Sequence, residues 1–288
     1  MARRKQHVPW TAAGRASELQ PSGDAVVRRT GWVFNNATGR GLTLEQFVQS
    51  GEEEVGAYLH HFGLDDPANS GSTLVEIGAG IGRMTAGFTK RFATVVACDL
   101  DAAFLERCRE TVARFGVPGR LATSHVEDGR TLALPDASAD VVFSYITLQH
   151  CARDDALTLT REAVRVLRPG GRLALNYRQF TAADTVLVPA GAVMRTLWRI
   201  PGVGPWLARR RLTTRLGWQA SRLDPETVIA ALQESGTMFD ELVVFTSPSR
   251  RARDVPGGVT RSYEGVHRSH WWLVGRISPA HRGDGPLA

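Results

Sequence analysis

The sequence predicts an α/β fold: a seven-stranded, mostly parallel sheet with helices on both faces, a C-terminal antiparallel hairpin, and an insertion after the fifth strand. Three observations carry this expectation. Short apolar runs alternate with amphipathic stretches between residues 73 and 177, the pattern of βαβ units. The first of these runs ends in Val75-Glu76-Ile77-Gly78-Ala79-Gly80-Ile81-Gly82. Glycine permits a tight strand-to-helix turn and a close approach of ligand to backbone, and open α/β sheets bind ligands at such strand ends. The last two apolar runs, 241–246 and 270–277, have no helical pattern between them, so they should pair antiparallel at the sheet edge.

The elements follow in order. Residues 1–40 are rich in Gly, Ser, Arg and Ala without clear periodicity and are expected to be a flexible segment ahead of a domain at 41–288. Trp10 and Trp32 in that segment suit a lid over a site, or a simple cover for the sheet. Thr43-Leu44-Glu45-Gln46 and Ser50-Gly51-Glu52-Glu53 both have the form of a capping box, predicting two short helices near 43–49 and 51–62. Thr73–Ile77 reads as a buried strand, Arg83–Phe92 as a helix, and Thr94–Cys98 as a strand ending at Asp99. Ala102–Phe115 is a helix closed by Gly116 and Pro118. Strands are expected at 120–125 and 139–146, then a helix at 154–167. Arg168-Pro169-Gly170-Gly171 is a turn before a strand at 172–177. Asp224-Pro225-Glu226 starts a helix that should stop at Gly236: an N-cap acid, Pro at the first helical position, then a second acid. Residues 247–266 read as an Arg-, Pro- and Gly-rich loop. Residues 180–222 interrupt the alternation with helical pieces near 189–199 and 203–216, rich in Leu, Val and Trp.

Composition bounds the functional class. No apolar run reaches the ~18 to 20 residues of a spanning helix, and no apolar core follows the basic Met1-Ala2-Arg3-Arg4-Lys5, so a cytoplasmic location is expected. Cys98, Cys108 and Cys151 show neither disulfide nor metal spacing, and no metal is expected. The net charge is +6, and Lys5 and Lys90 are the only lysines. Between Asp184 and Asp224 there is no acid, while Arg195, Arg199, Arg209, Arg210, Arg211, Arg215 and Arg222 all lie there. Such a basic stretch can meet nucleic acid, an anionic membrane or an acidic substrate, or can simply be a solvated face.

The glycine spacing separates two ligand chemistries. The dinucleotide fingerprint is G-x-G-x-x-G, which offers a helix N-terminus to a pyrophosphate. Here the pattern is E-x-G-x-G-x-G, with the third glycine one place early and an acid leading. A leading acid suits a ligand that carries positive charge.

With these motifs in order, the chain resembles the class I S-adenosylmethionine-dependent methyltransferases, which have a Rossmann-like fold; the resemblance covers roughly residues 50–278 apart from the insertion. Glu76-x-Gly78-x-Gly80-x-Gly82 is similar to the family's first motif, under the methionine part of the cofactor. Asp99 resembles the acid that holds the ribose hydroxyls; a carboxylate there can accept two hydrogen bonds from a diol. Glu127-Asp128-Gly129 resembles the third-strand loop, implying that Asp128 accepts from the adenine amino group and Gly129 offers a backbone N–H, although the usual glycine before that acid is Glu127 here. Leu167-Arg168-Pro169-Gly170-Gly171 resembles the turn before strand five.

The resemblance implies S-adenosyl-L-methionine as cofactor and a methyl transfer, in which the enzyme mainly positions the acceptor and excludes water. The loop after strand four, Tyr145-Ile146-Thr147-Leu148-Gln149-His150-Cys151, would face the methyl. His150 is the candidate general base and Gln149 a candidate for orienting substrate or cofactor, against a plain loop-supporting role for His150. Arg83 is expected to pair with Glu76 or a nearby carboxylate, and His267 and His270 to serve the edge strand. The expected acceptor is a small or medium-sized molecule, methylated on oxygen in preference to nitrogen: a natural product, or a cell-envelope glycan or lipid-linked acceptor. In the last case residues 185–222 would touch a membrane surface. An RNA methyltransferase is an alternative given the basic charge, although no N/D-P-P-Y-type motif follows strand four, which disfavours nucleic acid bases. A non-catalytic binding protein on the same fold, or a dehydrogenase, is weighed against the intact glycines and acids.

Overall fold

The computed structural model describes residues 18–34, 41–65, 71–208, 213, 216–217, 221–249 and 255–279. Its centre is one sheet of eight strands: β1 (Thr73–Ile77), β2 (Thr94–Asp99), β3 (Leu121–His125), β4 (Ala139–Ser144), β5 (Leu167–Arg178), β6 (Phe239–Thr246), β7 (Val259–Ser262) and β8 (His270–Ile277). Their order is β3-β2-β1-β4-β5-β8-β6-β7. The first five are parallel, and β8 runs antiparallel to both β5 and β6. The strand order reverses between β1 and β4, the switch point at which open α/β sheets form their ligand crevice.

The expected antiparallel pair is β6 with β8, but it is not the edge. β8 lies inside the sheet, and the short β7 adds to β6 in parallel, within the segment expected to be loop. That eighth strand escapes a pattern search because Val259-Thr260-Arg261-Ser262 buries none of its side chains and therefore has no apolar alternation. The Pro-Gly-Gly turn is an excursion within β5, where pairing with β4 jumps from Leu167 to Arg172 and Gly170 takes φ +79°.

Helices cover both faces: α1 (Gly23–Phe34), α2 (Leu44–His61), α3 (Thr85–Thr89), α4 (Ala102–Phe115), α5 (Arg153–Val166), α6 (Asp184–Leu197), α7 (Val203–Ala208) and α8 (Pro225–Glu234). Leu159 and Ala163 of α5 and Val228 and Leu232 of α8 pack on one face, against Val142, Leu173 and Trp271. Val55, Tyr58 and Leu59 of α2 pack on the other, against Val141, Phe143 and Trp272. Consecutive strand residues thus go to opposite cores, which is why these strands read as continuous apolar runs.

The two helices expected at 43–62 are one. Thr43 caps α2, accepting from the Gln46 N–H at 3.2 Å while Gln46 Oε1 accepts from the Thr43 N–H at 3.0 Å. Ser50 makes no second cap: its hydroxyl donates to the Phe47 carbonyl at 2.7 Å inside the same helix. Gly51 serves packing instead of termination, because a Cβ there would stand 2.3 Å from the Arg83 carbonyl oxygen.

Within the segment expected to be flexible, α1 is a formed helix. Asp24 Oδ1 accepts from the Leu44 N–H at 2.9 Å, and Val26 and Val27 are fully buried beside Leu44, Phe47 and Phe104. Trp10 lies outside the described residues.

Gly51→Ala tests the packing reading. An exposed helical Gly→Ala gains about 0.5–1 kcal/mol; at this contact the sign should reverse to a loss of about 1–3 kcal/mol, the cost of overpacking. Urea unfolding measures it, and a more stable variant would refute the close approach.

Candidate active site

A cavity of about 530 Å³ opens at the carboxyl ends of β1, β2 and β4, within the roughly 300–1,000 Å³ of small-molecule sites. Its floor is the glycine turn. Gly78, Gly80 and Gly82 take φ of +84°, +56° and +88°, a region open to glycine at no steric cost. The turn folds back on β2: the Gly78 and Ala79 N–H groups donate to the Cys98 carbonyl at 2.8 and 3.1 Å. The Gly80 N–H donates to Asp99 Oδ2 at 2.8 Å. A Cβ on Gly78 would fall 2.1 Å from Thr147 Oγ1, so this glycine lets the loop after β4 cross the loop after β1.

Two acids line this cavity. Asp99, at the end of β2, also accepts from the Asp101 N–H at 3.0 Å; burial pushes its carboxyl up to about 6. Glu76, near the end of β1, is buried and accepts from the Thr85 hydroxyl at 2.6 Å. Burial pushes it up to about 7 against the pull of Thr85 and Arg83, and Asp99 adds repulsion. Both shifts come first from burial, and acids perturbed in this way inside a cavity mark it as a candidate binding site.

Arg83 does not supply that pairing. Its Nη2 donates to Glu54 at 2.8 Å, across to α2. Its Nη1 is buried with no hydrogen-bond partner among the described residues, and the side chain lines the cavity. A guanidinium nitrogen left without an acceptor in a cavity wall is matched to an anionic group of a ligand.

The loop after β4 forms the facing wall. Tyr145, Ile146, Thr147, His150 and Cys151 all line the cavity. Ile146 takes φ +53°, a strained conformation for a β-branched residue. Tyr145 stacks on Trp272 of β8 at 5.5 Å, and burial pushes its hydroxyl up to about 12, so it stays protonated. His150 ends a single 3₁₀ turn, Leu148–His150.

Gln149 is 3% exposed and stands outside the cavity lining. Its Oε1 accepts from His270 Nε2 at 2.9 Å, and its Nε2 lies 3.4 Å from His150 Nε2. Burial, with Arg178 nearby, pushes His270 down to about 3, so it stays neutral and donates through Nε2. His270 is therefore no edge-strand residue. The register Arg178↔His270 between β5 and β8 sets it behind the β4 loop, a contact over 121 residues that no local pattern announces.

On the adjacent wall, Gly129 lines the cavity with φ +69°. Asp128 stands outside the lining and closes its own turn, accepting from the Arg130 and Thr131 N–H groups and the Thr131 hydroxyl, each at 2.8 Å. Burial opposes its ionisation, but these hydrogen bonds hold it below the usual carboxylate range. Gly82 likewise shapes the turn without lining the cavity. Among the described residues no group of three or more His, Cys, Asp or Glu side chains can hold a metal ion.

The insertion is fastened at both ends by one buried acid. Asp184 accepts from Arg222 Nε and Nη2 at 2.9 and 2.8 Å, and from the Thr181 N–H and hydroxyl at 2.8 and 2.7 Å. Arg178 approaches it at 3.4 Å. Beyond α6, Arg199 reaches into the cavity wall.

A family model described as a methyltransferase domain matches residues 75–175, the stretch from β1 to β5 that holds Glu76, the glycine turn, Asp99 and the β4 loop. That stretch is a methyltransferase domain, and the chain is similar to the S-adenosylmethionine-dependent methyltransferases. Among curated relatives, a carboxy-S-adenosyl-L-methionine synthase of Pseudomonas putida is 35% identical over 38% of this chain and 46% of its own length. A malonyl-[acyl-carrier protein] O-methyltransferase of Methylococcus capsulatus is 32% identical over 62% of each chain. The chain thus spans about half to three-fifths of these relatives. The solved structure of magnesium protoporphyrin IX methyltransferase from Synechocystis PCC 6803, with bound SAH, superposes with a TM-score of 0.53 over 88% of this chain and 97% of that one, at 13% identity. At that identity the likeness is one of fold.

Asp184→Ala would leave Arg222 and Arg178 charged and half-enclosed with no acid between them. Breaking a buried pair from one side costs about 3–5 kcal/mol, and adding Arg222→Leu should restore part of the loss, both read by urea unfolding. The Asp184 carboxyl is held down to about 2 against burial by Arg222 and Thr181, so its contribution is present above about pH 4 and fades as pH falls towards 2. A single variant as stable as the parent would show that the cluster fastens nothing.

Proposed function

We propose that the protein binds S-adenosylmethionine in this cavity and transfers its methyl group to an oxygen of a small or medium-sized acceptor. The observation that carries the reading is the donor and acceptor set in one cavity: two acids raised by burial, and a guanidinium nitrogen with no partner. The cofactor has an ammonium, a carboxylate and a ribose diol, and these residues fit it in kind. Glu76 would take the ammonium, Arg83 Nη1 the carboxylate and Asp99 the hydroxyls. Gly129, with no side chain and φ +69° in the cavity wall, would let the adenine ring approach the backbone, while Asp128 holds that turn in shape from outside the lining. When bound, the cofactor supplies a methyl group already activated on a positive sulfonium.

The chain's own residues then do the rest. Ile77, Leu100, Phe104 and Val126 line the cavity with apolar surface that keeps water from the reacting atoms. His150 accepts the proton of an acceptor hydroxyl. Gln149 is a positioning residue for the β4 loop, held by His270; its amide, 3.4 Å from His150 Nε2, must release that nitrogen when the ring takes the proton. The O-methyltransferase among the relatives supports oxygen as the acceptor atom.

Calorimetry across pH tests the cofactor half. A cationic ligand needs the two acids ionised, so affinity should rise between about pH 5 and pH 7 and binding should release protons, seen as an enthalpy that depends on the buffer. A flat profile, or equally tight binding of NAD, would overturn it.

The catalytic half rests on His150. His150→Ala should slow turnover on the order of 100-fold with cofactor affinity unchanged. A rate within a few-fold of the parent would leave only proximity as the means of catalysis.

A further inference from the structure

We propose that the insertion is a docking surface for an anionic lipid bilayer, an inference that goes beyond the catalytic reading and stands without it. Helix α6 carries its apolar residues outward. Val186 is 71% exposed, Val193 60% and, just past the helix end, Ile200 44%. Val186 and Val193 are seven residues apart, two helical turns, so they share a side of α6. Val188, Val203 and Trp206 extend the exposed apolar surface into α7. A helix of a water-soluble domain normally turns its apolar stripe to the core. Within α6 the only buried residues are Asp184 and Gly191, and a Cβ on Gly191 would meet the Leu216 carbonyl oxygen at 2.5 Å. The fully buried positions are thus a glycine and an ion-paired acid, with Met194 and Leu197 half-buried, while the valines at 186, 188 and 193 are left to solvent.

The charge says which surface covers it. Residues 185–223 hold seven arginines and no acid. The rest of the chain has acids and bases in near balance, so the net charge of +6 is in effect the charge of the insertion. An amphipathic segment with exposed aliphatic side chains, tryptophan and arginine, and no acid, matches the boundary of an anionic bilayer. Aliphatic side chains have no counterpart on a phosphate backbone, which disfavours nucleic acid. A second copy, paired through a two-fold axis, would set one acid-free, arginine-rich segment against another. No helix among the described residues is long and apolar enough to cross a membrane. Arg199 lines the cavity while its neighbour Ile200 is exposed. Docking through this turn therefore sets the cavity entrance beside the lipid headgroups.

Co-sedimentation of the full chain tests the proposal, with vesicles of phosphatidylcholine alone and of phosphatidylcholine mixed with phosphatidylglycerol. The parent should pellet with the mixed vesicles, stay in solution with phosphatidylcholine, and be released by high salt. Val186→Glu combined with Val193→Glu should cut the bound fraction roughly tenfold, and Arg199→Ser should weaken it by a smaller factor. The double valine variant should keep the parent's thermal unfolding midpoint and its cofactor affinity. A parent that pellets with neither vesicle, or a double variant that pellets like the parent, would overturn the proposal. So would a parental dimer, seen by sedimentation velocity, that the double variant converts to monomer. Loss of cofactor binding with intact vesicle binding would strike the catalytic reading alone.

Discussion

Two carboxylates are held out of water at the carboxyl ends of neighbouring parallel strands, and much of the molecule is arranged to keep them there. The β1–β2 register pairs Glu76 with Ala97 and Ile77 with Cys98, which sets Glu76 and Asp99 at one end of the sheet. The glycine turn then has to reverse within a few residues, and it spends its N–H groups on Cys98 and Asp99 in doing so. α1, α2 and α4 close over that turn through Val26, Phe47, Ile81 and Phe104. Burying an acid without a cation is unfavourable for folding and is tolerated where a ligand completes the charge balance. The strained Ile146 in the facing loop belongs to the same bargain between stability and a prepared site.

The two walls of the cavity answer to different parts of the chain. The wall with Glu76 and Asp99 is supported from the N-terminal side, including the Arg83–Glu54 pair that ties the turn to α2. The wall with Tyr145 and His150 is supported by β8, through Trp272 under Tyr145 and His270 behind Gln149. Inserting β8 between β5 and β6 is what brings the C-terminal strand close enough to do this. The C-terminal pair is therefore part of the scaffold of this cavity.

What could be read in advance follows from the range of the forces involved. β1, β2 and β8 are buried on both faces and announce themselves as apolar runs. β7 forms by backbone pairing to β6 alone and leaves no side-chain signal. Gly51 was misleading because a glycine after a serine looks like a helix boundary, whereas its cause is the Arg83 backbone brought against it by the fold. Glu76, the three glycines and Asp99 were readable because strand, turn and acid lie within one βαβ unit. The partners of Arg83 and Gln149 were not, since they lie 29 and 121 residues away and depend on packing and strand order.

The insertion shows the same division at a larger scale. Its ends are fastened to the sheet: Arg178 of β5 and Arg222 meet on Asp184, the Leu223 N–H donates to the Arg178 carbonyl at 2.8 Å, and Trp271 Nε1 donates to the Leu223 carbonyl at 2.8 Å. Those contacts fix where the segment leaves and rejoins the fold, and they place Arg199 in the cavity wall. Between them Gly191, Gly204 and Gly217 are held by close packing against Leu216 and Trp198, while Val186 and Val193 face outward. A segment anchored at its ends can change its exposed face without disturbing the acids or the β4 loop. On the proposed function, the cofactor side would be set by backbone geometry at the strand ends, and the acceptor side by a strap whose outward residues are free of that geometry. The choice of acceptor, and of the surface from which it comes, is therefore expected to lie in the outward residues of 185–222.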